Sequence, residues 1–141
     1  MNPTADTTTE LIELGRFFTL AARRMEAGQN APQMFSPAID AVWHRLAQDH
    51  RGHDAFSLRH TGLRMIHTEA SGRGPITWVT AYEEMYGPLP DVWFAHADGS
   101  IDEQALARYR NHRTVVATWD CVPAPGDGDG DGDLVPPVTV R

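Results

Sequence analysis

Asp40 and His44 stand four residues apart in the run Ser36-Pro37-Ala38-Ile39-Asp40-Ala41-Val42-Trp43-His44. On a helix that spacing stacks a carboxylate one turn from an imidazole. Such a pair can supply two ligands to one metal ion, or let the aspartate orient the ring for proton transfer. A third donor from elsewhere would complete a two-histidine, one-carboxylate set. That set suits zinc with an open water position, or ferrous iron. His67 is the candidate third ligand, and nearby Glu69 is the candidate general base or fourth ligand. Asp40, His44, His67 and Glu69 are therefore the candidate catalytic residues.

His53, His60 and His67 recur every seven residues. On the third helix that spacing puts them on the face of Phe56 and Leu63, and because seven residues rise about 10.5 Å, His60 and His67 cannot both bind one ion. His60 with Arg64 is instead a candidate for positioning an anionic substrate group. Tyr82 and Trp43 are the aromatic candidates for contact with a substrate, and core packing is the competing role for both. Asp40 and His44 have a plain alternative as a surface pair worth about 0.2–0.5 kcal/mol. His67 could equally serve a carbonyl near the end of its helix. His50 and His53 flank Arg51-Gly52 and, like His96 and His112, read as solvated. Cys121 has no cationic neighbour in sequence to form a thiolate, which argues against a nucleophilic role.

The elements that must position these groups read as helices. Leu11, Leu14, Phe18, Ala22 and Met25 mark one face of a helix over 10–27, stopped by Gly28. Ser36 and Pro37 are an N-cap and first-turn pair for a second helix reaching about Asp49. Its stripe of Ile39, Val42, Trp43 and Leu46 leaves Asp40 and His44 at the margin. Asp54 can cap a third helix to about Thr68, with Phe56, Leu63 and Ile66 on its apolar face. Pro75 opens a fourth from Ile76 to Tyr86, ended by Gly87-Pro88, and 89–94 reads as a connector with a helical turn. Ser100 to Glu103 is a capping-box pattern for a short helix to about Asn111. Thr114 to Cys121 has strand composition but no evident partner. The expected fold is mainly α: a small irregular bundle of four or five helices with an extended C-terminal segment. Residues 1–8 read as a flexible N-terminus, 9–122 as one helical domain, and 123–141 as a disordered Gly/Asp/Pro tail. The Asp-Gly alternation lacks the acidic twelfth position and the flanking helices of a calcium loop.

With 141 residues and 41% hydrophobic content, the chain suits one domain with a real core. The net charge of −7 splits into −4 over residues 1–125 (15 acidic, 11 basic) and −3 in the tail. That balance argues against a nucleic-acid or anionic-membrane partner. All 12 basic residues are arginine, which removes Schiff-base and P-loop chemistry. One cysteine leaves no internal disulfide and no multi-cysteine zinc site. Absent too are Gly-x-Gly-x-x-Gly, Gly-x-Ser-x-Gly, His-Glu-x-x-His and Cys-x-x-Cys, so no nucleotide cofactor is expected. No apolar run approaches a membrane span and no signal peptide is visible, so the expected setting is soluble and cytoplasmic.

The Asp40-x-x-Trp43-His44 pattern, Ile66-His67 further on, and Tyr86-Gly87-Pro88 with Pro90 before Trp93 together resemble the glycine-rich-domain-containing-protein-like family. The likeness covers residues 36–94, about 40% of the chain. The chain carries one histidine where the family has two at the second position, and lacks the family's glycine-rich tail. The resemblance implies a helical fold and a histidine-centred site, and no particular reaction.

The expected function is that of a small metal-binding protein, or a metal-dependent enzyme in which Asp40, His44 and His67 hold zinc or ferrous iron to activate water or a carbonyl. The partner would be a small molecule or a peptide. The rival readings are a non-catalytic protein- or peptide-binding accessory protein, and a metal-free His/Asp acid–base catalyst.

Overall fold

The computed structural model describes residues 3–126, and the remainder of the Gly-Asp-Pro tail lies outside them. Five helices and two strands follow in order: α1 (Pro3–Glu26), α2 (Pro37–Ala47), α3 (His50–Thr61), β1 (Met65–Pro75), α4 (Val79–Tyr86), α5 (Glu103–His112) and β2 (Val116–Pro125), with a 3-10 turn at Asp91–Phe94 before α5. No helix among the described residues is long and apolar enough to cross a membrane.

The sequence signals place α2 well. The Ser36 hydroxyl accepts from the Ile39 N–H at 3.2 Å and itself donates to the Val92 carbonyl at 2.9 Å. One serine thus caps the helix and ties its start to the 3-10 turn. Asp102, within the expected capping pattern, caps α5 by accepting from the Ala105 N–H. At the other end of the chain, α1 begins at Pro3, ahead of the expected Glu10.

The expected bundle with a lone extended segment is corrected by the second half of the chain. β1 and β2 form an antiparallel ribbon, with Met65 opposite Pro125, His67 opposite Pro123 and Pro75 opposite Val116. The segment expected to prolong the third helix to Thr68, with the loop after it, is β1. The reason lies at Gly62, which adopts φ 74° and returns its N–H to the Leu58 carbonyl. A left-handed glycine ends a helix cheaply, and nothing downstream restores it. The Ser57 hydroxyl then secures the reversal, donating to the Leu63 carbonyl at 2.6 Å and accepting from the Met65 N–H at 2.7 Å. Leu63 and Ile66, expected on the core face, are accordingly exposed. α3 also starts earlier than expected, capped by Asp49 rather than Asp54.

A bulge between Glu69 and Gly72 sets three residue steps on β1 against two on β2. It preserves the inward parity: Met65, His67 and Glu69 share a face with Cys121 and Pro123, and beyond the bulge Gly72 lies opposite Trp119. Gly72 is required there, because a Cβ would sit 2.5 Å from the Trp119 ring. On its outer edge β2 receives one bridge, from the Met34 N–H to the Cys121 carbonyl at 3.1 Å.

The core is aromatic. Phe17 of α1 lies 5.6–6.0 Å from the rings of Trp43, Trp78 and Trp93, the first two meeting it edge-on and the third tilted. Phe35 closes the cluster against Trp78 and Trp93. A carboxylate, Glu13, is buried beside it and accepts from the Tyr82 hydroxyl at 2.5 Å, the Trp93 indole at 2.9 Å and Arg16 at 3.1 Å. These bonds join α1, α4 and the 3-10 turn.

Candidate metal centre

Three polar side chains converge where α2 meets the ribbon. His67 reaches α2 because its strand parity points it inward, opposite Pro123. Its ring stands edge-on to Trp43, with centroids 4.4 Å apart, and 4.2 Å from the ring of His44. From that position Nε2 of His67 lies 3.3 Å from Oδ1 of Asp40. On the other side of the carboxylate, Nε2 of His44 lies 3.5 Å from Oδ2. One ligand atom from each of Asp40, His44 and His67 falls within 4.8 Å of the other two. Among the described residues this is the one such group of histidine, cysteine and acidic donors.

The solvent exposures give the site an inside and an outside. The side chains of His67 and Asp40 are 12% and 19% exposed, and that of His44 is 56% exposed. Asp40 and His44 open into a cleft of about 260 Å³ between α2 and the outer part of β2, where Thr118, Trp119 and Asp120 form the opposite wall.

Cys121 enters the site from below. Its thiol donates to Oδ1 of Asp40 at 3.0 Å. Burial, that hydrogen bond and the charges of Asp40 and Asp120 all push the thiol's pKa up. The group is thus held as S–H, a donor that fixes the carboxylate. Tertiary pairing of β2 brings this about, and no spacing in the sequence connects residues 40 and 121. Asp120, on the cleft wall, likewise has no signal in the sequence that links it to residue 40. Pairing of β1 with β2 sets Cys121 opposite Glu69 and Asp120 opposite the bulge that follows it.

The remaining sequence candidates lie elsewhere. Glu69 is exposed on the ribbon opposite Cys121 and does not line the cleft. His60 packs at the α1–α3 contact, where its ring fills the space beside Gly15 and meets Phe56 at 4.5 Å. Arg64, beyond the end of α3, lies 3.7 Å from Asp54. Tyr82 is fully buried on Glu13, and burial with that hydrogen bond drives its pKa up. Trp43 is fully buried, and its indole N–H donates to Nε2 of His53 at 3.0 Å. His53 is therefore a buried neutral imidazole rather than a solvated loop residue, and burial pushes its pKa down. Trp43 and His53 support His67 from behind.

The chain was compared with protein-family models, curated proteins and solved structures. It matches none of them. The site's chemistry must be read from its own geometry.

Proposed function

We propose that the chain is a small metal-binding protein in which Asp40, His44 and His67 hold one zinc or ferrous ion, with coordination positions left open toward the cleft. The observation that supports this most is the meeting of these three donors from α2 and β1, 27 residues apart in the case of Asp40 and His67, with their ligand atoms within 4.8 Å. Tetrahedral zinc with bonds of about 2.0–2.1 Å sets its ligand atoms about 3.4 Å apart. Nε2 of His67 lies 3.3 Å from Oδ1 of Asp40 and Nε2 of His44 lies 3.5 Å from Oδ2, so each imidazole is near that distance from a different oxygen of the one carboxylate, and a modest side-chain turn brings both to a shared ion. Two histidines and one carboxylate are equally the donor set of open ferrous sites.

A bound ion would supply Lewis acidity to a water or carbonyl oxygen. The chain's own residues supply the rest. Cys121 and the ribbon hold the carboxylate, Trp43 fixes the plane of His67, and exposed His44 leaves the cleft side open. Asp120 is the carboxylate on the facing wall and is suited to accept a proton from a bound water, whereas Glu69, the expected base, is exposed on the ribbon outside the cleft. The partner is a small molecule, and the setting is cytoplasmic. On this reading, Asp40-x-x-Trp43-His44 and His67 are the counterparts of the histidine-centred site that residues 36–94 resemble.

Zinc titrated calorimetrically into the metal-free chain should bind once per chain. His44→Ala and His67→Ala should each weaken binding about 100-fold or more, beyond the loss typical of a residue that only orients a ligand. Absence of saturable binding in the unaltered protein contradicts the proposal.

A second reading has its own observation. Without metal, the 3.3 Å contact makes Asp40 and His67 a carboxylate-oriented imidazole suited to general acid–base work. Activity that survives exhaustive chelation and is lost in Asp40→Asn would favour it.

A further inference from the structure

A second cleft, of about 280 Å³, adjoins the first along the outer edge of β2. The two share Phe35, Pro37 and Thr118 as a common wall. Pro37, which lines both, is followed on the same face of α2 by Asp40 and His44, which line the first, at three- and four-residue steps. The second cleft has an apolar floor that includes Trp93, Phe94 and Val115, all buried. Its rim carries Arg73 from β1, Arg108 from α5 and His96.

The charge at this rim runs against the rest of the protein. Residues 1–125 carry a net −4. Four arginines are paired with carboxylates, at Glu13, Asp54, Asp91 and Glu83. Arg73 and Arg108, both exposed, are among the arginines that have no carboxylate partner among the described residues, and they are the two arginines that line this cleft. The one acid lining it, Asp102, spends its Oδ1 on the Ala105 N–H as the cap of α5. Two unpaired guanidinium groups above an aromatic floor are complementary to an oxyanion attached to an apolar body. The volume lies at the lower limit of small-molecule sites, about 300–1,000 Å³, which favours a compact organic anion over a peptide.

We infer that this cleft holds the anionic end, carboxylate or phosphate, of a small apolar molecule whose other end extends past Phe35 and Pro37 to the Asp40/His44 side. The assignment rests on the metal-centre reading for what happens at that far end, and on the arginines alone for the anion. Arg73 and Arg108 would bind the substrate without touching the metal. The sequence expectation of an anion-positioning pair is thereby transferred from His60 and Arg64 to different residues.

The test titrates benzoate, phenyl phosphate and uncharged benzamide into the full chain, metal-free and zinc-loaded, following backbone amide shifts at Val115 and Ala117. Benzoate or phenyl phosphate should bind about tenfold or more tightly than benzamide, and the stronger of the two identifies the headgroup. Arg73→Gln and Arg108→Gln should each weaken the anion about tenfold, with the fold and the zinc affinity unchanged. Equal binding of benzamide and the anions overturns the inference, as does anion binding untouched in the double variant. Failure of the two proposals is separable: zinc uptake without arginine-dependent anion binding removes the anion cleft alone. Arginine-dependent binding in a chain that takes up no zinc removes the metal centre alone.

Discussion

The thiol of Cys121 donates a hydrogen bond to Oδ1 of Asp40 across 3.0 Å, so that the last strand of the fold orients a carboxylate presented by the second helix. Partners that orient a metal ligand typically contribute 10–100-fold in metal affinity. Cys121→Ala should therefore weaken zinc binding about tenfold, and Cys121→Ser, which keeps a donor, should recover most of it. Equal losses in the two variants would show that the side chain acts by packing alone. Because burial and the neighbouring carboxylates keep the thiol protonated, it should also react far more slowly with a disulfide reagent at pH 8 than the same thiol in denaturant.

The α1–α3 contact depends on a glycine. A Cβ at Gly15 would lie 2.5 Å from the His60 ring, so Gly15→Ala should destabilise by about 1–3 kcal/mol despite its better helix propensity. Paired with His60→Ala the clash disappears, and a double-mutant cycle in urea should show most of the cost recovered. An additive cycle would mean that His60 does not fill that space.

Glu13 is 3% exposed and serves three donors. Glu13→Ala strands the Tyr82 hydroxyl and the Trp93 indole in the core and should cost about 3–5 kcal/mol. Glu13→Gln keeps an acceptor oxygen for both and should cost less than half as much. Denaturant midpoints of the two variants provide the comparison.

His53 imposes a pH dependence on stability. Its Nε2 accepts from Trp43, and burial holds its folded-state pKa below the ordinary 6.5. Below pH 6.5 the unfolded chain takes up a proton that the folded chain refuses, so this contribution is complete above about 6.5 and is lost as pH falls toward the folded value. Thermal midpoints should fall between pH 7 and pH 5 in the native protein. His53→Gln, which keeps an acceptor near the position of Nε2, should show a shallower fall. Identical slopes would remove His53 as the cause.

Some local signals coincide with the structure and some do not: α3 is capped by Asp49 rather than Asp54, and α4 begins at Val79 rather than Ile76, because Pro75 closes β1. Ser36-Pro37 starts α2, Gly87 ends α4, and the Asp40–His44 pair lies at the margin of its helix because three- and four-residue spacing is a property of any helix. The largest differences arise where tertiary pairing decides. Leu63, Ile66 and the seven-residue histidine step imitate a continuing helix, while Gly62 stops it and a strand some fifty residues later supplies the pairing that Thr114 to Cys121 lacked. His67, expected as the third donor near the end of a helix, reaches Asp40 as a strand residue. Cys121, Asp120, Arg73 and Arg108 carry no local signature at all, since only the ribbon and its edge assemble them.

The central claim is that Asp40, His44 and His67 together hold one metal ion. Its most direct test is elemental analysis of tag-free protein produced with zinc and iron supplied, alongside His44→Ala and His67→Ala. Near-stoichiometric zinc or iron in the native chain, with loss from both variants and an unchanged circular dichroism spectrum, is the predicted result. A metal-free native chain, or metal retained in either variant, would contradict it.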